Sequence, residues 1–376
     1  MLDVRQQILQ QIKNAKSILI AFKDIGDCAG YPAGGDPIAS ALALRQILSK
    51  NGKNVDIASP NFVLPEWAKF LPNAETIKNT IQATRQSKIR ISIKDSGIKD
   101  FTYEIDGDFL NIYFSPRENS IDLKNIETDS GLWQHDLIIT LDTAEISLLG
   151  KIHEANKALF DNVPIINIDD TGENENYGDI NFVDIKSSSV AEIVWRMIEK
   201  SPNLDEQIID CLLAGIIAKT KNFRKSNVNP QTLEIAGKLI SLGAKRNEIV
   251  DAFYRTKDIA TLKIWGRALA RLKHQGGVIW SLLARSDFIH SGASEENLAN
   301  VMHELVSSSP NADIAVLLFE NFEGQVKAIL YSHKASFALS RFNVVHYPSR
   351  LTHIILPHAN LVAAEKELID ELKKQV

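Results

Sequence analysis

Cysteine is almost missing from this chain. Only Cys28 and Cys211 occur among 376 residues, far apart and without the paired spacing of a zinc or redox site. They read as two reduced, buried thiols of a cytosolic protein. Long apolar runs are also missing, and no stretch approaches the ~18 residues that a membrane helix needs. Residues 1–16 are polar and amphipathic and lack the apolar core of a signal peptide. These absences imply a cytoplasmic protein with no membrane partner. Positive charge is not in excess either. A net charge of −5 gives no global attraction to nucleic acid, so any anion site must be a local patch. There is no internal repeat and no low-complexity tract. What is present is an ordinary globular balance, 44% hydrophobic and 24% charged. The chain is long enough to bury a sizeable core. At roughly 100–200 residues per domain it fits two.

Val4, Ile8, Ile12 and Ala15 recur at helical spacing. Residues 17–22 form a short apolar run, the mark of a buried strand. A loop rich in glycine, aspartate and proline fills 23–36. Asp36 then stands as a helix N-cap, with Pro37 in the first turn where a missing N–H does no harm. That helix stops at Asn51-Gly52, and 54–58 is the next strand. The unit is strand–helix–strand, and its first loop lies at a strand's carboxyl end, where doubly wound sheets build sites. Residues 136–141 and 164–168 are further apolar strands. They end in Asp142-Thr143 and in Asp169-Asp170-Thr171.

Between these strands the pattern changes. Ile89, Ile91 and Ile93 alternate with polar residues. Residues 101–105 and 109–114 flank Asp106-Gly107-Asp108, a hairpin signal. An antiparallel insertion over about 88–118 is expected. Ser187-Ser188-Ser189 leads into a helix through Val190, Ile193, Val194 and Ile198. The apolar run 208–217 passes into a basic stretch with Lys219, Lys221, Arg224 and Lys225. Residues 231–254 and 258–272 read as helices. Strands at 278–284, 314–319 and 325–331 follow, with helices at 295–307 and 361–374. The class is α/β: a doubly wound, mainly parallel sheet with an inserted hairpin over 1–228, a helical linker over 229–274, and a smaller α/β lobe over 275–376.

Four stretches in order carry a resemblance. They are Gly35-Asp36-Pro37 with Ser40, Leu44 and Asn51-Gly52; Leu137 to Asp142-Thr143; Asp169-Asp170-Thr171 with Gly178, Asp184, Ser188 and Glu192; and Leu213, Gly215, Lys219, Phe223, Pro230 and Ala236. Over about 15–260 the chain resembles the DHH-family phosphoesterases, in particular their nano-RNase and pAp-phosphatase-like branch. The resemblance implies a DHH-like domain over 1–228, a substrate-binding C-terminal lobe, and a nucleotide or short oligonucleotide as partner. It also implies a two-metal site, usually manganese, that activates water for attack on phosphorus.

Residue by residue, that site is uneven. The family's opening histidine falls on or near Phe22, and its first aspartate falls on Gly34. Asp36, Asp142 and Asp169 keep the catalytic and metal positions. Asp170-Thr171 replaces two histidines. The fourth motif's aspartate falls on Lys219, a charge reversal. An ammonium within about 4–6 Å of Asp142 or Asp169 would hold them ionised without a metal. The family's C-terminal glycine-rich loop has its nearest remnant at Pro357-His358-Ala359, and its recognition arginine falls on Tyr331. Asp170 joins the possible metal ligands, and Asp24 and Asp27 in the long first loop are possible substitutes. Lys219, Lys221, Arg224 and Ser188 are the expected substrate contacts.

Plainer roles stand beside these: Asp36 as a cap, Asp142 and Asp169 as loop-amide acceptors, Ser187 to Ser189 as a helix cap, the basic stretch as a solvated loop, and His135 as a strand-entry residue. Three functions follow. The first is a degenerate protein that binds nucleotide with no metal cofactor. The second is an active phosphoesterase with a reduced manganese or magnesium site. The third is an interaction scaffold. A homo-oligomer is compatible with each.

Overall fold

The computed structural model of the chain describes residues 3–25, 32, 34–85, 87–94, 96–118, 121, 126–129, 131, 133–254, 258–307, 309, 312–332, 343–346, 351–357 and 360–374. Helix α1 (Val4–Asn14) opens on a reciprocal Asp3–Gln6 capping box, which satisfies two otherwise orphan amides. Strand β1 (Ser17–Phe22), helix α2 (Gly35–Lys50) and strand β2 (Asn54–Ala58) follow. Strands β3 (Lys88–Ile91), β4 (Ile98–Asp106), β5 (Phe109–Pro116) and β6 (Ile126–Asp129) form two antiparallel ribbons, β3 with β6 and β4 with β5. The chain returns through β7 (Leu137–Leu141), the short helices α3 (Gly150–Glu154) and α4 (Lys157–Phe160), β8 (Ile165–Asp169), β9 (Ile180–Val183), α5 (Val190–Ile198) and α6 (Glu206–Lys219).

Strands β2, β1, β7, β8 and β9 lie in that order in one parallel sheet. Parallel sheets bury both faces, which is why these strands read as continuous apolar runs. One face packs on α2, α5 and α6 through residues such as Ile38, Leu42, Ile193 and Leu212. The other packs on Ile152, Leu159 and Phe160 from the short helices and on Leu149 just before them. Helix α6 approaches its neighbours closely because two glycines remove side chains. A Cβ on Gly35 would lie 2.6 Å from the Cβ of Ala218, and one on Gly215 would lie 2.7 Å from that of Ala191.

Helices α7 (Pro230–Ser241), α8 (Arg246–Tyr254) and α9 (Ile259–Ala270) follow. Beyond them are β10 (Lys273–Gln275), β11 (Val278–Leu283), α10 (Arg285–Ser291), α11 (Leu298–Ser307), β12 (Ile314–Glu320), β13 (Val326–Ser332), β14 (Asn343–His346), β15 (Leu351–Leu356) and α12 (Leu361–Lys373). These strands make a second sheet in the order β10-β11-β12-β13-β15-β14, in which only β11 and β12 pair in parallel. The expected α/β class, with a parallel sheet, an inserted hairpin and a further mixed lobe, is what the chain adopts.

Four expectations need correction. The single helix over 231–254 is two helices, broken where Gly243 takes φ 106. The hairpin turn is shorter than three residues: Asp106 pairs with Phe109, leaving Gly107-Asp108 as the turn. Gly107 holds φ 57 there, which glycine accepts without steric cost. Strands β10, β14 and β15 were not expected, because Lys273-His274-Gln275 and His346 dilute the apolar signal. Asp36 is not the cap of its own helix. The helix starts two residues earlier, at Gly35 behind Gly34 at φ 71, so the Asp36 side chain is released for another partner. No described helix is long and apolar enough to cross a membrane.

Candidate functional site

Strands β1, β7 and β8 are neighbours, so the residues after their carboxyl ends converge. Asp142 leaves β7 in a left-handed conformation, φ 47. Its amide donates to the Ile168 carbonyl at 3.1 Å, which fixes the two strand ends together. Helix α6 ends in Lys219, where the partial negative charge of a helix C-terminus favours a cation. The Lys219 Nζ lies 2.9 Å from Asp142 Oδ1, 2.8 Å from Asp170 Oδ1 and 4.0 Å from Asp36 Oδ2. Lys23, the first residue past β1, places its Nζ 3.3 Å from the other oxygen of Asp142. Asp142, Asp169 and Asp170 each bring a carboxylate oxygen within 4.8 Å of the others.

Asp36 is fully buried and turns to helix α5. It accepts from the amides of Val190 and Ala191 at 2.7 and 2.9 Å, and from Ser40 Oγ at 3.2 Å. A carboxylate on the first amides of a helix is favourable for both. Gly215 makes the room, since a Cβ there would stand 3.0 Å from Asp36 Oδ1. Burial pushes the Asp36 carboxyl up to about 7; Lys219 and the Val190 amide oppose this, and Asp170 and Asp142 add to it. Burial likewise raises Asp169. Its oxygens are engaged by the amides of Asp170 and Thr171 at 2.7 and 3.1 Å and by Asn174 Nδ2 at 2.8 Å. Burial alone would lower Lys219, but Asp142, Asp36 and Asp170 more than offset it and hold the ammonium above the ordinary lysine value.

The other expected residues divide. Ser188 is buried, donates to the Glu192 carboxylate and accepts from Thr232 Oγ1 at 3.0 Å. Ser189 is the N-cap of α5, accepting from the Glu192 amide at 3.3 Å. Lys221, Asn222 and Phe223 take φ 53, 55 and 63 in succession. Left-handed residues other than glycine cost about 1–2 kcal/mol each. The Thr220 hydroxyl holds the turn, accepting from the Phe223 amide at 3.1 Å and donating to the Ile216 carbonyl at 2.6 Å. Arg224 is exposed, with its Nε on the Lys221 carbonyl at 3.1 Å. Lys225 is held below the ordinary lysine value by partial burial and by Lys219 and Lys221.

Asp24 accepts from Asn61 Nδ2 at 2.8 Å and is outside the set of three acids. Asp27, Cys28, His358 and Ala359 lie outside the described residues. Tyr331 sits in β13. Gly34, onto which the resemblance puts the family's first aspartate, is left-handed, and a Cβ there would meet Ile25 Cγ2 at 2.5 Å. Sequence reasoning missed Lys23 and Asn174. Lys23 obeys the same strand-end rule that found Asp142. Asn174 carried no such signal.

The family model described as the DHH family, N-terminal domain, matches residues 29–216. With the match covering half the chain, the protein belongs to the DHH family of phosphoesterases. Among curated proteins, the bifunctional oligoribonuclease and PAP phosphatase NrnA of Thermus thermophilus is 28% identical over 135 residues, 35% of this chain and 40% of that protein. The Bacillus subtilis protein of the same description is 27% identical over 135 residues, 35% of this chain and 42% of that one. The chain thus spans less than half the length of these relatives. A crystal structure of an exopolyphosphatase-related protein from Bacteroides fragilis superimposes with a TM-score of 0.64 at 17% identity, covering 99% of this chain and 96% of that one. That likeness establishes the fold.

Proposed function

We propose that this chain is a degenerate DHH phosphoesterase, a pseudoenzyme that binds a nucleotide or short oligonucleotide in a cleft between its lobes without two-metal hydrolysis. The observation that carries the reading is the Lys219 ammonium, within salt-bridge reach of Asp142, Asp170 and Asp36. Two catalytic dications about 4 Å apart need a dense ring of free carboxylates and imidazoles. Here Asp36 is consumed by helix amides and Asp169 by loop donors. Position 34 has no ligand and no room for one. Even unit charges of like sign repel by ~4 kcal/mol at 4 Å under an effective dielectric of 20, and Lys219 would face a dication. The residues present do not fit a two-metal centre.

The basic turn after Lys219 supports an anionic ligand. Lys225 is held down partly by its cationic neighbours, and a bound phosphate would relieve that repulsion. Nucleotide chemistry is supported by the NrnA relatives, whose names state oligoribonuclease and PAP phosphatase activity. The scarcity of cysteine favours a reducing, cytoplasmic compartment.

A second reading rests on the three acids within 4.8 Å. They would hold one manganese or magnesium if Lys219 swung away, leaving an active enzyme with a reduced site. The test is to incubate purified protein with pAp or diadenylate, with and without manganese. The expected result is no product and a metal-independent rise in melting temperature. A ligand at a hundredfold excess over its Kd adds about 2.7 kcal/mol. Manganese-dependent cleavage overturns the proposal. Stoichiometric manganese after loading, with cleavage lost in Asp142→Ala, establishes the second reading.

A further inference from the structure

The β4–β5 hairpin presents a feature that the carboxyl-end site does not use. Cross-strand partners in an antiparallel pair share a face. The register Phe101↔Phe114, Tyr103↔Ile112 and Ile105↔Leu110 therefore puts six large apolar side chains on one face of the ribbon. The intervening pairs, Thr102↔Tyr113, Glu104↔Asn111 and Asp106↔Phe109, make the other face the more polar one, with Tyr113 and Phe109 as its two large apolar rings. Phe114 is half-buried, and the remaining five of the six are between 37% and 74% exposed. A two-stranded ribbon is at best marginally stable in water on its own. Soluble monomers rarely expose contiguous apolar patches beyond a few hundred Å².

We infer that this face is a homodimer interface, in which the hairpins of two copies of the chain pack face to face and head to tail. Three observations select a second copy. The first is area. Side chains of this size, mostly exposed, amount to about 600 Å² of apolar surface per copy. Two copies bury about 1,200 Å², the lower bound of a stable interface; a small ligand would leave most of the face wet.

The second is shape. At its root the hairpin meets the β3–β6 ribbon in a groove of about 310 Å³ lined by apolar residues, among them Ile89, Ile91 and Ile93 with Phe101, Ile112 and Phe114. At its tip Ile105 and Leu110 stand out as knobs, 74% and 59% exposed. A two-fold axis puts each tip over the other copy's root, so the same contact forms twice, as an isologous interface requires. The third is charge. The tip carries Glu104, Asp106 and Asp108, while the root carries Lys99 and Arg117 beside Asp100 and Glu118. Head-to-tail packing keeps the two acidic tips apart and sets each over the other's root of mixed charge. The side chains of facing sheets interdigitate at ~10 Å spacing.

The test is light scattering on full-length protein over a range of concentrations. Wild type should run at twice the chain mass. Ile105→Glu/Leu110→Glu should raise the dissociation constant by about a hundredfold or more, the scale of losing buried interface anchors. Its far-UV circular dichroism should be unchanged. Thr102→Lys, on the polar face of the same ribbon, should stay dimeric, which separates loss of the interface from loss of the hairpin. A wild type that is monomeric at every concentration overturns the inference. So does a dimer that survives the Ile105→Glu/Leu110→Glu change, and so does a monomer that binds lipid vesicles through this face.

Discussion

Where β1 starts, Asp136 accepts from the amides of Lys16 at 2.8 Å and Ser17 at 2.9 Å. Where β8 starts, Asp179 accepts from the Ile165 amide at 2.8 Å. Beside β7 the buried ring of His135 bonds Asp56 Oδ2 at 3.0 Å, and Lys78 bonds the other oxygen at 2.7 Å. These contacts hold Asp56 well below the usual carboxylate range, the His135 hydrogen bond first among them. At the opposite edge of the same sheet, Asp36 and Asp169 are pushed up by burial, and one lysine is shared among Asp36, Asp142 and Asp170. Aspartates at the strand starts each have dedicated donors and reinforce the fold. Aspartates at the strand ends are crowded against one another in burial, and a single ammonium is shared among Asp36, Asp142 and Asp170. Crowding of buried like charges is what a fold tolerates at a site rather than in its scaffold.

The comparison breaks most sharply at Lys219. Lys219→Met leaves its carboxylates without their shared cation. Removing one partner of a buried ion pair costs about 3–5 kcal/mol, read as a lower urea midpoint. Millimolar magnesium should recover part of that loss in the variant and give no such gain to wild type. A variant as stable as wild type would make the two edges equivalent and remove the basis for a tethered cation.

A smaller effect is expected at the other edge. Asp56→Asn loses hydrogen bonds to a charged group, about 1.5–3 kcal/mol, and leaves any nucleotide-induced shift in melting temperature intact. The pH dependence has opposite signs at the two edges. Asp56 is lowered from 3.8, so its contribution is present above that pH and is lost as pH falls through its folded value. Asp36 is raised from 3.8 to about 7, so it removes stability as pH rises across that interval. Urea midpoints should therefore peak in weak acid, and Asp56→Asn should flatten only the acid side. A stability that rises monotonically to neutral pH would contradict the Asp36 assignment.

The smallest change in stability is expected for Arg224→Ala. The side chain is exposed, and such surface substitutions stay within about 0.5 kcal/mol. Nucleotide affinity should nonetheless fall, as titration calorimetry would register. Unchanged affinity would move the ligand away from the basic turn.

Much of this was legible in the order of the residues. Continuous apolar runs ending at Asp142 and Asp169 mark parallel strands whose carboxyl ends meet. The phase of Phe101, Tyr103 and Ile105 marks one face of a ribbon. A lysine, Lys219, after the apolar run 208–217 marks where a cation enters the strand-end acids. These are local signals, because strand period and strand ends are set by neighbours in sequence. Tertiary structure decided the rest. Lys219 was expected near Asp142 or Asp169, and it bonds Asp142 and Asp170, while Asp169 turns to loop amides and Asn174. Asp36 crosses 154 positions of sequence to reach the first amides of α5, a contact that a Cβ at Gly215 would crowd. Which carboxylate reaches which donor depends on how α2, α5 and α6 pack. Packing is set by volume and close approach between segments distant in the chain, and no local period encodes it.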